Sequence, residues 1–476
     1  MDKKYRRVRQ ENLIKDLPIE WQEYLLPVIS SRLDSTGKKI IVLDDDPTGT
    51  QTVHGIPVLT QWSVKALIKE FENDLPAFYL LTNSRSLPLK AAQSINQEIG
   101  RNLILASNNT DRKFVTVSRS DSTLRGHFPG EVEALERALG DDFDGWLIIP
   151  FFEEGGRYTI NNIHYVKEGE WLVPAGETPY ARDTSFGYRS SNLTEWVQEK
   201  TGGRVSSDEV VSITLEDIRI GGPERVANIL YTLQNSRVCI VNAVSRRDVE
   251  VFVLGLLLAE EQGKRFIYRT AASFVPVRAG ITQRPLLSRN DLSLSQGGGA
   301  LFIVGSYVPR TTEQVDKLLE KSQIQKIEIN ATKLLNKNDR RAEINGAAQQ
   351  INRYLKEEKD LVIYTSRELI TSYDGDRSLL VGQQISSGLV EIIKAISTRP
   401  RYILAKGGIT SSDIATDGLN VRRALVLGQI LPGVPVWQLG DESKFPNLTY
   451  IVFPGNVGEP DALVEILQVL CIDRNA

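Results

Sequence analysis

The sequence is poor in the residues that build metal centres and disulfide frameworks. It contains two cysteines, three histidines and one methionine in 476 residues. Cys239 and Cys471 both lie beside apolar residues, so we expect two buried thiols and no disulfide framework. His54, His127 and His164 are far apart, and none pairs with a cysteine or another histidine at metal-ligand spacing. A tightly held zinc ion is therefore not expected.

The sequence also lacks a long hydrophobic run. The longest, residues 251–259 (VFVLGLLLA), falls short of the roughly 18 residues that a membrane span needs. Residues 1–18 are charged and lack the apolar stretch of a secretory signal. The formal net charge of −3 gives no general attraction to nucleic acid or an anionic membrane. We expect a soluble, cytoplasmic protein that binds neither nucleic acid nor membrane.

Three common fingerprints are missing as well. The sequence has no GxxxxGK[ST] phosphate loop, no GxGxxG dinucleotide motif and no GxSxG nucleophile elbow. A serine hydrolase is therefore not expected, and a dehydrogenase is a weak alternative. A nucleotide that binds this chain must use a different set of loops.

What the sequence does contain is a series of short apolar runs that alternate with helix-like segments. A chain of 476 residues exceeds the length that a single hydrophobic core usually supports, and this alternation favours parallel sheets covered on both faces. The predicted fold class is α/β, with two α/β domains, largely parallel sheets and a cleft between the domains. The runs that predict strands are residues 38–46, 78–84, 113–118, 145–150, 210–214, 238–243, 265–270, 300–306, 326–330, 361–366, 402–408, 424–430 and 450–456.

We divide the chain into four segments. Residues 1–38 form a polar, helical N-terminal extension, and residues 39–284 form the first domain. Residues 285–299 are polar and end in three glycines, which is typical of an interdomain linker. Residues 300–476 form the second domain. The residues that recur at helical spacing in the extension, and that we expect to pack on the body, are Trp21, Tyr24, Leu25, Val28 and Ile29.

Acidic side chains gather at the end of the first predicted strand. Asp44, Asp45 and Asp46 precede the turn-forming run Pro-Thr-Gly-Thr. In open α/β sheets, ligands bind beyond the carboxyl ends of the strands. Three adjacent carboxylates repel one another, so a cation, a metal or substrate hydroxyls must compensate them. A solvated acidic turn is the alternative interpretation.

Basic and hydroxyl side chains follow the neighbouring predicted strands. Arginine suits a carboxylate or phosphate, and aspartates with hydroxyls suit a polyol. The strand-end loops at 82–86 and 150–166 contribute Arg85, and Arg157 with Thr159. Each loop alone is compatible with an exposed charged surface, but together they predict a pocket for a small hydroxylated anion. The loop at 118–131 (SRSDSTLRGHFPGE) contributes Arg119, Asp121, Ser122, Thr123, Arg125 and His127.

Three strand–loop–helix junctions of the second domain have little side-chain bulk. They lie at 305–306 (GS), 406–412 (KGGITSS) and 455–456 (GN). Glycine lets backbone N–H groups approach an anion, and a helix N-terminus adds a favourable dipole. Lys406 could neutralise a phosphate oxygen. Each junction alone is more often an ordinary turn, but three at successive strand ends predict a phosphate-binding site.

In this order, the motifs resemble those of the four-carbon acid sugar kinases, a family that phosphorylates threonate, erythronate or related keto acids. The resemblance extends from about residue 39 to residue 470. Its anchors are DDDPTG (44–49), SDSTLRGH (120–127), GGR (155–157), GS (305–306), KGGIT (406–410) and PGN (454–456).

The resemblance implies that the first domain binds the sugar acid and that the second domain binds ATP. The residues it places around the substrate are Asp45, Asp46, Arg85, Asp121, Arg125 and Arg157. The residues it places around ATP are Ser306, Gly407, Gly408, Ile409, Thr410 and Gly455. From residue chemistry we add Ser122 to the substrate site and Lys406 to the nucleotide site.

Phosphoryl transfer requires positioning and charge neutralisation more than covalent chemistry. We hypothesise that arginines bind the substrate carboxylate and aspartates bind its hydroxyls. Asp46 or Asp121 is the candidate catalytic residue that orients or deprotonates the attacking hydroxyl. Mg²⁺ would bridge the ATP phosphates, and the sequence does not identify protein ligands for it.

Two alternatives stay open. The chain departs from the family pattern at Asp44, at 48–55 (TGTQTVHG), where the family usually has a small residue after Thr-Gly, and at 269–281 (RTAASFVPVRAGI), where we expect a small, glycine-rich segment. The resemblance therefore also allows a different substrate, including a branched 3-oxo sugar acid. A non-catalytic sugar-acid sensor of the same fold is the second alternative, although the acidic cluster and the three glycine loops together favour a kinase. A homodimer is a possible assembly.

Overall fold

The computed structural model describes residues 5–471 except 141, 296, 307, 367–374 and 456, and at 375–380 it describes the backbone alone. The chain divides into two compact units. The first consists of Met1–Val53 and Gln61–Gln283, and the second of His54–Thr60 and Arg284–Ala476.

The described strands are numbered in chain order. They are β1 (Val8–Arg9), β2 (Lys39–Asp44), β3 (Ile56–Leu59), β4 (Ala77–Leu81), β5 (Phe114–Arg119), β6 (Gly145–Ile149), β7 (Arg157–Ile160), β8 (Ile163–Glu168), β9 (Trp171–Pro174), β10 (Val211–Ile213), β11 (Arg237–Val241), β12 (Phe266–Thr270), β13 (Ala300–Val304), β14 (Gln325–Ile329), β15 (Leu361–Thr365), β16 (Tyr402–Lys406), β17 (Arg423–Leu431), β18 (Val434–Leu439) and β19 (Thr449–Phe453).

The described α-helices are numbered in the same way. They are α1 (Gln10–Ile14), α2 (Leu26–Thr36), α3 (Val64–Glu72), α4 (Leu89–Thr110), α5 (Gly130–Leu139), α6 (Leu193–Lys200), α7 (Leu215–Arg219), α8 (Gly222–Tyr231), α9 (Arg246–Glu261), α10 (Phe274–Arg278), α11 (Pro309–Lys321), α12 (Ala331–Leu335), α13 (Arg340–Lys356), α14 (Gly375–Ala395), α15 (Gly408–Asp413) and α16 (Ala462–Val469).

The main sheet of the first unit has the strand order β10-β11-β6-β12-β5-β2-β4, and each neighbouring pair is parallel. The central strands are buried throughout and mostly apolar, as parallel strands covered by helices must be, and the charged Lys39 and Asp44 stand at the two ends of β2. Because the strands are parallel, the loops after β2, β4, β5, β6 and β12 all leave the same edge of the sheet.

A small antiparallel sheet, β1-β9-β8-β7, belongs to the same unit. The prediction of a loop at 150–166 was wrong, because β7 and β8 form an antiparallel hairpin within it. The two turn residues, Asn161 and Asn162, have φ values of 51° and 64°. Asparagine tolerates this conformation and is favoured in two-residue hairpin turns.

The second unit contains the strand order β3-β17-β18-β19-β16-β13-β15-β14. The pairs from β19 to β14 are parallel, and those from β3 to β19 are antiparallel. The prediction of two α/β domains with largely parallel sheets is therefore confirmed. Strand β3 was not among the predicted strands. It belongs to the second unit, although residues 39–284 were predicted to form the first domain.

Residues 285–299, predicted as an interdomain linker, follow the boundary between the two units, and Leu287 and Leu292 within them are buried in the hydrophobic core of the second unit. The prediction for the N-terminal extension requires a correction. In the N-terminal extension, Tyr24 and Val28 are exposed, whereas Leu25, Leu26, Ile29 and Leu33 are buried. Helix α2 begins only at Leu26, so Trp21 and Tyr24 precede it, and its buried residues are Leu26, Ile29 and Leu33.

Cys239 is a buried free thiol, as expected, but Cys471 is exposed just after the last described helix. None of the helices in the described part of the chain is long and apolar enough to span a membrane.

Candidate active site

Asp44 is the last residue of β2, and its carboxylate packs directly against the turn that follows. A Cβ atom added to Gly49 would lie 1.8 Å from Asp44 Oδ2, so only glycine fits at this position. Asp46 stabilises the same turn because it accepts a hydrogen bond from the Thr48 backbone N–H at 2.9 Å. The Pro-Thr-Gly-Thr run is therefore closely packed against the acidic cluster.

Asp44 faces a buried arginine from the neighbouring strand. Arg119, at the end of β5, lies 3.3 Å from Asp44 Oδ1, and both side chains are buried. Burial raises the pKa of Asp44 to about 7, Asp45 and Asp46 act in the same direction, and Arg119 opposes them. Asp44 is thus a buried carboxyl group beside a buried arginine, and not a solvated turn residue.

Arg85 lies among three carboxylates of two loops. Its guanidinium forms an ion pair with Asp46, and it lies 3.7 Å from Asp45 and 3.5 Å from Asp121. Burial is the largest single influence and alone would raise the pKa of Asp46 and of Asp121. Arg85 together with Thr48 at Asp46, and together with Arg125 and Thr123 at Asp121, outweighs burial and lowers both pKa values. Both carboxylates are therefore ionised at neutral pH.

Arg125 reaches the same cluster from the loop after β5. Its Nε donates to Asp121 Oδ2 at 2.8 Å, and its Nη1 lies 3.6 Å from Asp183. The Arg125 guanidinium carbon lies 5.1 Å from the Tyr180 ring centroid, and that of Arg157 lies 5.9 Å from it. Two arginines from different loops thus converge on one aromatic ring, a favourable cation–π arrangement.

Three carbonyl groups of the loop after β5 accept hydrogen bonds from buried side chains of other elements. His164 Nε2 lies 2.7 Å from the Ser122 carbonyl, the Tyr188 hydroxyl donates to the Thr123 carbonyl at 2.8 Å, and Arg269 donates to the Arg125 carbonyl at 2.9 Å. Burial lowers the pKa of His164 to about 4, so the neutral ring donates through Nε2. The loop is therefore held in place before any ligand arrives.

The structure brings together Asp45, Asp46, Asp121, Arg85 and Arg125, and it places Arg157 on the same aromatic ring as Arg125. Ser122 belongs to the same loop as Asp121, and its side chain is nearly buried. Sequence reasoning missed Tyr180, Asp183, Tyr188 and Arg269, and it did not see that His164 supports the loop. A lone arginine within the apolar run at 265–270 was the available signal for Arg269.

In the second unit, the three glycine junctions meet. A Cβ atom on Gly305 would lie 2.3 Å from Thr410 Oγ1, and one on Gly407 would lie 3.2 Å from Ser306 Cβ. One on Gly455 would lie 3.3 Å from Ser306 Oγ. Glycine at these positions therefore keeps three backbone turns close together, as a phosphate-binding cradle requires.

A threonine of α11 connects two of these junctions. Its hydroxyl, Thr311 Oγ1, lies 3.2 Å from Ser306 Oγ and 3.1 Å from the Gly455 carbonyl oxygen. Gly408 begins α15, and Ile409 beside it is 57% exposed. Asn456 lies outside the described residues. An exposed apolar side chain next to a polar cradle offers a surface for a nucleotide base or ribose.

Lys406, which we expected to neutralise a phosphate oxygen, is the last residue of β16. It is fully buried, its Nζ donates to the Pro454 carbonyl at 3.1 Å, and it lies 3.7 Å from the Phe453 ring centroid. Burial, with a smaller effect of Arg310, lowers its pKa to about 7. Lys406 thus stabilises the Pro454–Gly455 turn from below, and its contact with phosphate stays a prediction.

No group of three or more histidine, cysteine, aspartate or glutamate side chains that could hold a metal ion occurs among the described residues. The glycine cradle nevertheless fits a nucleotide, because its bulk-free turns leave backbone amides accessible to phosphate oxygens.

Both halves of the chain match models of known protein families. A family model described as a sugar-binding N-terminal domain matches residues 40–278, half of the chain, and one described as a nucleotide-binding C-terminal domain matches residues 301–463. The chain belongs to the family with this pair of domains, whose architecture is that of the four-carbon acid sugar kinases. The resemblance inferred from the motifs is thereby confirmed.

Solved structures show the same fold. A Salmonella typhimurium LT2 protein described as a candidate tRNA synthase is similar over 91% of this chain and 100% of its own, with 14% identity and a TM-score of 0.65. A Haemophilus influenzae protein of the DUF1537 family is similar over 90% of this chain and 100% of its own, with 17% identity and a TM-score of 0.59. In a comparison with curated proteins, none matches this chain significantly.

Proposed function

We propose that this protein is an ATP-dependent kinase that phosphorylates a hydroxyl of a small, four-carbon sugar acid. The observation that carries the proposal is the Arg85 cluster, in which Asp46 and Asp121 are kept ionised beside further arginines. This cluster lies within a sugar-binding domain, and the same chain has a nucleotide-binding domain with a glycine cradle. A sugar acid has hydroxyls for the aspartates and a carboxylate for the arginines.

In this proposal, Arg125 and Arg157 bind the substrate carboxylate. Arginine binds carboxylates through two parallel N–H groups, and the Tyr180 ring orients both guanidinium groups. Asp45 and Ser122 bind substrate hydroxyls. Ser120 supports Asp45 because its hydroxyl donates to Asp45 Oδ2 at 2.6 Å.

Asp46 and Asp121 are the candidate catalytic residues. Their pKa values are held below the ordinary value by Arg85, so either carboxylate is a weak base. Phosphoryl transfer has a loose transition state in which the attacking hydroxyl keeps its proton until late. We therefore assign these carboxylates the task of orienting the hydroxyl and accepting its proton at the end of the transfer.

The second domain provides the phosphate donor in this proposal. The backbone amides near Ser306, Gly407, Gly408, Thr410 and Gly455 would bind the ATP phosphates. Ile409 would contact the base or ribose, and Lys406 would add positive charge close to the cradle. Mg²⁺ neutralises phosphate charge when it is bound with ATP.

The test is a coupled assay for ADP release with ATP, Mg²⁺ and a panel of tetronates and branched 3-oxo acids. We expect turnover with at least one acid, and phosphorus NMR of the product would identify the phosphorylated oxygen. No ADP release above background with any acid would refute the kinase proposal. Binding of acid and ATP without turnover would instead indicate a sensor.

Asp121→Asn sharpens this test. It should lower kcat by roughly 10²–10⁴, the usual contribution of a positioned proton acceptor. Asp217→Asn is the matched control, because Asp217 also accepts hydrogen bonds from an arginine and a threonine but lies at the start of α7. Equal kinetics in the two variants would remove Asp121 from the mechanism.

A further inference from the structure

Arg269 is a buried arginine that the proposed mechanism does not use. It lies on β12, where its backbone pairs with Ser118 of β5 and Ile148 of β6. The residue is only 3% exposed. Its guanidinium carbon lies 5.7 Å from the ring centroids of both Phe128 and Trp196.

Its surroundings differ from those of the other buried arginines. Among the described residues, no carboxylate lies within 4.0 Å of Arg269, and the hydrogen bond of its Nη2 to the Arg125 carbonyl is its sole recorded hydrogen bond. The other buried arginines each have a carboxylate within that distance, namely Arg119 with Asp44, Arg219 with Asp248, Arg278 with Glu260 and Arg401 with Asp360.

A buried charge without an ion-pair partner is unfavourable for folding. Two contacts offset part of this cost at Arg269. The stacked rings of Phe128 and Trp196, whose centroids are 4.8 Å apart, offer a cation–π surface, and the Arg125 carbonyl accepts a charge-assisted hydrogen bond. Such an arrangement stabilises a particular peptide group more than it stabilises the fold.

That peptide group connects two parts of the proposed substrate site. The Arg125 carbonyl is also 3.3 Å from the Ser120 hydroxyl, which in turn donates to Asp45. Gly126 follows with a φ of +114°, and a Cβ atom there would lie 2.7 Å from Ser120 Oγ and 3.5 Å from Arg269 Nη2. The Arg125–Gly126 peptide therefore sits where Arg269, Ser120 and Asp45 meet.

We propose that Arg269 is a positioning residue of the sugar-acid site, which acts by fixing the Arg125–Gly126 peptide and thereby the side chains of Arg125 and Asp45. The inference rests on the proposed function and extends it to a residue that does not itself contact substrate. Loss of the Arg269 hydrogen bond lets this peptide rotate. The acid is then bound less well, while the nucleotide site is unaffected.

The experiment compares Arg269→Lys with Arg278→Lys, using the best acid of a panel of threonate and erythronate stereoisomers. Arg278 is the matched control, because it is equally buried in the same unit but pairs with Glu260. We expect Arg269→Lys to raise the KM for the acid at least tenfold, with the KM for ATP within twofold of wild type. Arg278→Lys should lower the melting temperature without changing either KM.

Gly126→Ala perturbs the same Arg125–Gly126 peptide group without changing Arg269, and it tests the inference if Arg269→Lys does not fold. It should also raise the KM for the acid, and the double variant should show less than the product of the two single effects. The inference is overturned if either single variant keeps the wild-type KM for the acid. It is also overturned if the double variant raises this KM by the full product of the two single effects. A wild-type protein that turns over no acid overturns the proposed function itself, a result distinguishable from these.

Discussion

Asp44→Asn tests the most strongly perturbed carboxyl group of the acidic cluster. The pKa of Asp44 is raised from 3.8 to about 7, because the side chain is 1% exposed and lies beside two further carboxylates. Between these two values the folded protein binds a proton that the unfolded chain has released. The folded state therefore loses stability relative to the unfolded state as the pH rises from about 4 to about 7.

The size of this effect follows from the shift. Three pKa units at about 1.36 kcal/mol each give a loss of roughly 4 kcal/mol, which is complete above pH 7 and has not begun below pH 4. Asparagine has nearly the same shape and cannot ionise. We therefore expect Asp44→Asn to gain about 4 kcal/mol relative to wild type on going from pH 4 to pH 8.5.

The assay is urea unfolding of both proteins at several pH values, followed by tryptophan fluorescence. All tryptophans except Trp437 lie in the first unit, so the signal reports mainly on the unit that contains Asp44. The quantity to compare is the difference in the free energy of unfolding between variant and wild type. A difference that does not change with pH, or that changes in favour of wild type at high pH, would refute the reasoning.

Three further predictions concern the supporting residues. His164→Gln should remove a loss of stability that wild type shows as the pH falls from 6.5 to 4, because burial lowers the pKa of His164 to about 4; the loss amounts to about 3 kcal/mol, and urea unfolding at pH 7 and pH 4 would measure it. An unchanged slope would contradict the neutral, buried histidine. Gly305→Ala should weaken ATP binding at least tenfold in calorimetry, since its Cβ would lie 2.3 Å from Thr410 Oγ1, while binding of the acid stays the same. Lys406→Met should also weaken ATP binding about tenfold, because it loses the charge and the hydrogen bond to Pro454 that supports the cradle; unchanged affinity would exclude Lys406 from the nucleotide site.

Much of the fold could be predicted from local patterns. Runs such as residues 300–306 and 450–456 contain buried parallel strands because an apolar run bounded by turn residues has few other stable conformations. Strands β3 and β18 were not recognised. Both belong to the antiparallel part of the second unit, where pairing is decided by neighbours distant in the chain. The Asn161–Asn162 turn carried a local signal for the β7–β8 hairpin that the sequence analysis overlooked.

Residues 285–299 show that the amino-acid composition of a segment does not predict which of its side chains are buried. Their polar residues and glycines predicted an interdomain linker, and the structure adds that two of their leucines are buried in the core of the second unit. Composition gives the average polarity of a segment. It does not show that Leu287 and Leu292 find an apolar surface, because that surface is built from strands far along the chain.

The apolar runs and the polar residues that follow them were enough to predict where the strands of the first unit end, and hence that Asp45, Asp46, Asp121 and Arg125 lie at one edge of a parallel sheet. The sequence also predicted that three glycine junctions follow strands of the second unit. The packing of the folded chain was needed to find that Arg85 pairs with Asp46, that Arg119 pairs with Asp44, and that Arg269 donates a hydrogen bond to the Arg125 carbonyl. The physical reason is that parallel strands are joined by crossover connections, so residues far apart in the chain become neighbours across the sheet. Ion pairs and pKa values depend on those neighbours and on burial, and local sequence specifies neither.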